Sequence, residues 1–278
     1  MKPLRHLPPN RTLEQLQNHY VVEKGIADRL RNANREERKL IYATMYDELF
    51  AKVPDHPRLT LRESERGVKK ANNSKMMVVG EFLNPATVFV EFAPGDCCFA
   101  MEVAKQVRTV YAVDISDQRG NVHTSPKNLN LIIYDGYDLD QIPENSVDVV
   151  FSDQLLEHLH PEDTRLHLEL VYHILKPGGK YVFRTPHAFN GPHDVSRYFS
   201  KHPEGFHMKE WTYNEFKSVL KSVNFSRLFG IWKVRRFHTK MPYLYFQIAE
   251  YLIGWLPARL KLALSKALVP SICIVAVK

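Results

Sequence analysis

Only three cysteines occur in 278 residues, Cys97, Cys98 and Cys273, and two of them are neighbours inside an apolar run. That count and spacing exclude a disulfide framework and the paired-cysteine metal motifs. No stretch reaches the ~20 apolar residues needed to span a bilayer. Met1-Lys2-Pro3-Leu4-Arg5 lacks the apolar core of a secretion signal, so the expected address is the cytoplasm. Internal repeats and low-complexity segments are absent. With 25% charged and 44% hydrophobic residues, the composition excludes disordered and fibrous architectures. The net charge of +7 favours anionic partners in general without choosing among them.

Leu13, Leu16 and Tyr20, then Ile41, Met45 and Leu49, recur at three- and four-residue steps, which predicts two helices between Thr12 and Ala51. Thr12 with Gln15 and Asn34 with Glu37 have the spacing of capping boxes, in which side chains satisfy the free amides of a helix start. Pro54 and Pro57 end the second helix. A third is expected from about Glu63 to Phe82, before the turn at Asn84-Pro85. Residues 1–83 are thus read as a helical cap, acting as a lid, and residues 84–278 as the core.

From Ala86 onward, short β-branched runs alternate with helical stretches: Val88–Phe92, Val107–Val113, Asn130–Tyr134, Val147–Phe151 and Gly179–Arg184, with later strands at Phe225–Val234 and Ser271–Val277. The alternation predicts an α/β fold with a doubly wound, mostly parallel sheet. Thr185 to Lys209 is polar, rich in histidine and too long for a mere connector. Thr212 and Glu215 cap a following helix. Residues 241–269, broken by Gly254 and Pro257 and carrying Arg259, Lys261 and Lys266, read as an insertion of two amphipathic helices. They pack on the sheet or on a second copy, which is compatible with a homodimer, or they rest on a membrane surface.

The first strand runs into Glu91-Phe92-Ala93-Pro94-Gly95-Asp96-Cys97, a tight turn before a helix, where small residues let a ligand approach the backbone. The glycines of a dinucleotide fingerprint are missing. Nineteen residues after Gly95 the second strand ends in Asp114-Ile115, placing a carboxylate where it accepts from both hydroxyls of a ribose. Asp135-Gly136-Tyr137 closes the third strand, and Asp153-Gln154 the fourth.

In their order and spacing these motifs, with Leu155-Leu156-Glu157-His158 and Leu175-Lys176-Pro177-Gly178-Gly179, resemble the class I S-adenosylmethionine-dependent methyltransferases, particularly a bacterial small-molecule group, over about residues 86–230. Ala93 and Cys97 depart from the family's glycines. The resemblance implies a Rossmann-like, seven-stranded sheet with an antiparallel last strand and S-adenosyl-L-methionine as cofactor. It also implies Glu91 near the methionine amino group, Ala93 and Gly95 beneath the cofactor, Asp114 and Ile115 at the ribose, Asp135, Gly136 and Tyr137 by the adenine, and Asp153 and Gln154 flanking the methyl.

A sulfonium methyl is already electrophilic, so transfer to a hydroxyl needs alignment and a base. His187, His193, Asp194 and, more weakly, His158 are the candidates, while Arg197 and His207 are candidates for holding an anionic part of the acceptor. No metal is expected, because no i, i+4 histidine pair exists. The leading expectation is O-methylation of a small-molecule, glycan or lipid-linked acceptor. The alternatives are carboxyl- or N-methylation, nucleic-acid methylation and a non-catalytic cofactor-binding homologue. Ser152-Asp153-Gln154-Leu155 lacks the Asn/Asp-Pro-Pro-aromatic element that clamps a base nitrogen, so no nucleic-acid partner is expected.

Overall fold

A computed structural model of the chain describes residues 1–60, 65–119, 125–234 and 237–278. Helices α1 (Leu13–Asn32) and α2 (Arg35–Lys52) open with the two anticipated capping boxes, each reciprocal between side chain and backbone. The short α3 (Pro57–Thr60) and then α4 (Glu65–Val79) follow. The expected start at Glu63 lies outside the described residues. Buried Ile26 and Leu30 of α1 and Tyr42, Met45 and Leu49 of α2 hold the pair together, and their cluster extends to Tyr137, Phe206 and Met208 of the core.

The core runs β1 (Val88–Phe92), α5 (Cys98–Ala104), β2 (Thr109–Asp114), β3 (Leu129–Ile133), β4 (Val147–Asp153), α6 (Pro161–Ile174), β5 (Leu175–Thr185), α7 (Tyr213–Ser222), β6 (Arg227–Val234), β7 (Phe237–Pro242), α8 (Tyr243–Gly254), α9 (Ala258–Leu268) and β8 (Ile272–Val277). The sheet has eight strands, in the order β3-β2-β1-β4-β5-β8-β6-β7. β1 to β5 pair in parallel, and β8 lies antiparallel between β5 and β6. Strand β1 is buried along its whole length, as a central strand covered on both faces must be. Val88, Val90 and Phe92 enter one core with Leu168, Val171, Phe216 and Phe246, while Phe89 enters the other with Val79, Phe99 and Val103.

The sheet thus has one strand more than the seven expected. β7 forms a hairpin with β6 at the sheet's outer edge. Its residues His238-Thr239-Lys240 carry no apolar alternation, because an edge strand needs to bury little. β7 also takes Met241 and Pro242 from the start of the insertion, leaving α8 and α9 as the two amphipathic helices. The parallel strands end together at Phe92, Asp114, Asp153 and Thr185, the edge at which open α/β sheets place ligands.

Candidate active site

The turn after β1 is held in left-handed backbone geometry at Ala93 (φ 52°), Gly95 (φ 59°) and Cys97 (φ 61°). Glycine would take that conformation without strain, which is the physical meaning of the two departures noted in the sequence. A Cβ at Gly95 would meet nothing within 4 Å, so the backbone there faces open space. That space is a cavity of about 940 Å³ lined by Ala93, Pro94, Gly95, Asp114, Ile115, Gly136, Tyr137, Asp153 and Gln154. It falls within the size range of a cofactor pocket.

Each acid around the turn has its own surroundings. Asp114 is buried, and its Oδ1 accepts from the Ile115 amide at 2.8 Å and its Oδ2 from Gly95 at 3.4 Å, so lone pairs remain for hydroxyls of a ligand. Burial raises its pKa. Glu91, 1% exposed, accepts from Lys75 Nζ at 3.2 Å through Oε1, while Oε2 is buried without a hydrogen-bond partner. Burial pushes this carboxyl up to about 7, against the pull of Lys75. Asp153 is neutralised by Arg184, whose Nε donates to Oδ1 at 2.9 Å. Asp135 does not line the cavity. It caps its own turn by accepting from the Tyr137 and Asp138 amides at 2.8 and 2.9 Å, and it pairs with Lys39. Glu91 is absent from the cavity lining and reaches it only through Lys75, which does line it; Asp114 suits the ribose of S-adenosylmethionine, and the open backbone at Gly95 lets the nucleoside pass.

The loop after β5 builds a second cavity of about 290 Å³, lined by His193, Asp194, Arg197 and His207 together with Glu23, His56 and Phe206. Tyr46, Arg58 and His158 line both cavities, so the two adjoin. His193 donates weakly from Nε2 to the His187 carbonyl at 3.4 Å, leaving Nδ1 with the lone pair, and burial lowers its pKa so that it stays neutral. Asp194 accepts from the Ser196 and Gly205 amides at 3.0 and 2.9 Å and shapes the loop from within. His187 lines neither cavity. It is fully buried, with Nε2 donating to Glu250 Oε1 at 2.7 Å and Nδ1 accepting from Phe189 at 3.1 Å. Of the histidines considered, His158 and His193 therefore meet at the cavities, while His187 ties the loop to α8.

The family described as "Methyltransferase domain" matches residues 90–183, from β1 through β5. That span holds the left-handed turn, Asp114 and the Asp153-Gln154 strand end in the order such a domain requires. Residues 90–183 of this chain carry the sequence of a methyltransferase domain. Among curated proteins no relative matches. An S-adenosylmethionine-dependent methyltransferase from Archaeoglobus fulgidus superposes with a TM-score of 0.53 at 17% identity, over 77% of this chain and 96% of that one. The 1,6-didemethyltoxoflavin-N1-methyltransferase of Burkholderia thailandensis, solved with 1,6-didemethyltoxoflavin and S-adenosylhomocysteine, gives 0.53 at 14% identity, over 88% and 91%. Phosphoethanolamine N-methyltransferase 1 of Haemonchus contortus gives 0.50 at 18% identity, over 67% of this chain and 41% of that longer one, so the chain spans about two fifths of that enzyme's length. At such identities the likeness is one of fold.

The larger cavity is also lined by residues that the motifs did not announce. Tyr42, Met45 and Tyr46 of α2, Arg58 of α3, and Val68, Asn72 and Lys75 of α4 all line it. So do Asp163 and His167 of α6. Asp163 is the hub of a buried network, paired with Arg38 Nε at 2.8 Å and accepting from the hydroxyls of Tyr42 at 3.2 Å and Tyr137 at 2.9 Å. Nothing local in the sequence marks these residues, since Arg38 and Tyr42 meet Asp163 from more than a hundred residues away.

Proposed function

We propose that this enzyme transfers the methyl of S-adenosylmethionine to a hydroxyl of a small, anionic acceptor bound in the cavity under the loop of residues 185–209. The observation that carries the reading is the shared lining of Tyr46, Arg58 and His158, which sets the smaller cavity directly beside the larger one. Arg58 and Arg197 in that lining supply positive charge for a phosphate or carboxylate. When bound, the cofactor supplies an electrophilic methyl. Asp114 would hold its ribose, and Glu91 would lie behind Lys75 near its methionine end. His193, neutral and in the acceptor cavity, would take the acceptor's proton. Residues 1–83 would act as the lid, since their helices line one side of both cavities.

The test is transfer of labelled methyl to a panel of phosphorylated and carboxylated sugars, alcohols and amines. His193→Ala should leave cofactor affinity intact and lower turnover about 100- to 10,000-fold, the usual share of a general base. Reaction of amines alone, or full turnover in the variant, would refute the hydroxyl reading.

We further propose that α8 and α9 rest on an anionic membrane surface, where a lipid-linked acceptor would be found. Leu244, Tyr251, Leu252, Trp255 and Leu260 are exposed, Trp255 at 78%, beside the cations Arg259 and Lys266. No described helix is long and apolar enough to cross a membrane. The protein should sediment with anionic phospholipid vesicles in a salt-sensitive manner and lose that binding in Trp255→Glu. Indifference to lipid charge, or self-association through this face in ultracentrifugation, would contradict the proposal.

A further inference from the structure

Glu157, His158 and His207 bring one ligand atom each to within 4.8 Å of one another beside the acceptor cavity. His158 follows Glu157 directly, but His207 arrives from the far end of the loop, so no sequence spacing announces the cluster. The loop is stitched in place there, with the Lys209 amide donating to the Glu157 carbonyl at 3.2 Å.

The three side chains are oriented as a metal centre orients its ligands. His158 Nδ1 donates to the Phe206 carbonyl at 3.1 Å, which leaves Nε2 with the lone pair. His207 Nδ1 donates to Glu210 Oε1 at 2.8 Å, which leaves its Nε2 likewise. Hydrogen bonds from the outer ring nitrogen to a carbonyl or carboxylate are the usual support of metal-bound imidazole. Glu157 is fully buried, with Oε2 accepting from Thr185 Oγ1 at 2.9 Å and Oε1 without any partner. A buried, unpaired carboxylate oxygen is costly unless something cationic meets it.

We propose that Glu157, His158 and His207 bind a divalent first-row transition ion of the zinc type. Two imidazoles and one carboxylate suit such an ion and not Mg²⁺, which prefers all-oxygen sites. Ligand atoms about a ~2.1 Å ion stand roughly 3.4 Å apart, so side-chain rotation of about an ångström closes the set. With three protein ligands, coordination positions stay open, and both histidines line the acceptor cavity. There the ion would hold an acceptor oxygen and ease loss of its proton to His193, a role that rests on the hydroxyl reading above.

A second cluster, His19, Glu23 and His56, is also compact. It differs in being satisfied from within: His19 Nε2 meets Glu23 Oε2 at 2.7 Å, its Nδ1 meets Arg11 at 2.8 Å, and Glu23 Oε1 accepts from the Phe206 amide at 2.8 Å. It serves as the internal control.

The experiment is titration of the chelator-treated full chain with Zn²⁺ against a chromophoric chelator, without cofactor or acceptor, so its result is independent of the reaction assigned. One ion per chain should bind at micromolar or tighter affinity. Glu157→Gln and His207→Ala should weaken it at least 100-fold, and Glu210→Ala, which removes the acceptor that braces the His207 ring and the His193 amide, about 10- to 100-fold. His19→Ala should leave it unchanged. Folding of each variant is checked by its melting temperature, and Glu210→Ala keeps the test decisive if a ligand variant unfolds. Absence of binding at about 100 μM Zn²⁺, or loss of binding in His19→Ala and not in the other variants, overturns the proposal.

Discussion

Replacing Glu250 with alanine separates a structural role for His187 from a catalytic one. Glu250, 3% exposed on α8, accepts from His187 Nε2 at 2.7 Å, from the Asn214 amide and side chain at 2.9 and 2.7 Å, and from the Tyr213 amide. It thereby ties together the end of β5, the start of α7 and α8. Removing one partner of such a buried polar set costs about 3–5 kcal/mol, because the others remain buried and unpaired. For a chain of this length each kcal/mol moves the melting temperature by about 2 °C, so Glu250→Ala should melt about 6–10 °C lower. His187→Ala should show a smaller drop of the same kind. At a temperature where both variants are folded, cofactor affinity should be unchanged and kcat within a few-fold of wild type. Calorimetric melting and steady-state kinetics decide it. Unchanged melting with turnover lost by two orders of magnitude would refute the argument and make His187 and Glu250 a catalytic dyad.

Asp114→Ala should weaken cofactor binding by about 1.5–3 kcal/mol, the range for hydrogen bonds to a charged group, as read by titration calorimetry. Ala93→Gly should release about 1–2 kcal/mol of left-handed backbone strain against about 0.4–1 kcal/mol of added unfolded-chain freedom, so its melting temperature should rise slightly. Glu91 titrates near 7, well above its ordinary 4.5, so it is neutral below and charged above that value. The same raised pKa makes the Glu91 contribution to stability greatest below pH 4.5 and lost as pH rises through 7, a trend that denaturant titrations of wild type and Glu91→Gln should separate.

What was legible in the sequence was what local physics writes. Thr12 and Gln15, Asn34 and Glu37, and Thr212 and Glu215 form reciprocal caps because capping is decided within four residues. The strands of the parallel sheet were legible because burial on both faces demands unbroken apolar runs. β7 was not, since an edge strand carries no such demand. The cofactor cavity shows the same boundary: Gly95 and Asp114 sit in motifs whose spacing the fold dictates, whereas Tyr46, Arg58 and Lys75 reach the cavity from helices that precede the core. His187 stood at a strand end, where ligands gather, but its partner Glu250 lay in a helix read only for its apolar faces. The meeting of Glu157 and His158 with His207 depends on how a long loop folds back, which periodicity does not encode.

Helix α8 is a part with two sides. Its inner side holds Glu250 and, through it, His187, the residue on which the acceptor loop is hung, while the very next residues, Tyr251 and Leu252, point their apolar surface outward. Lys261 of α9 reaches back to sit 3.9 Å from the ring of Phe189 in the same loop. A load on the outer side would therefore be transmitted through Glu250 to His187, at the foot of the loop of residues 185–209. On the proposal that this outer side is where the protein attaches, attachment would be coupled to the position of that loop through His187 and Phe189.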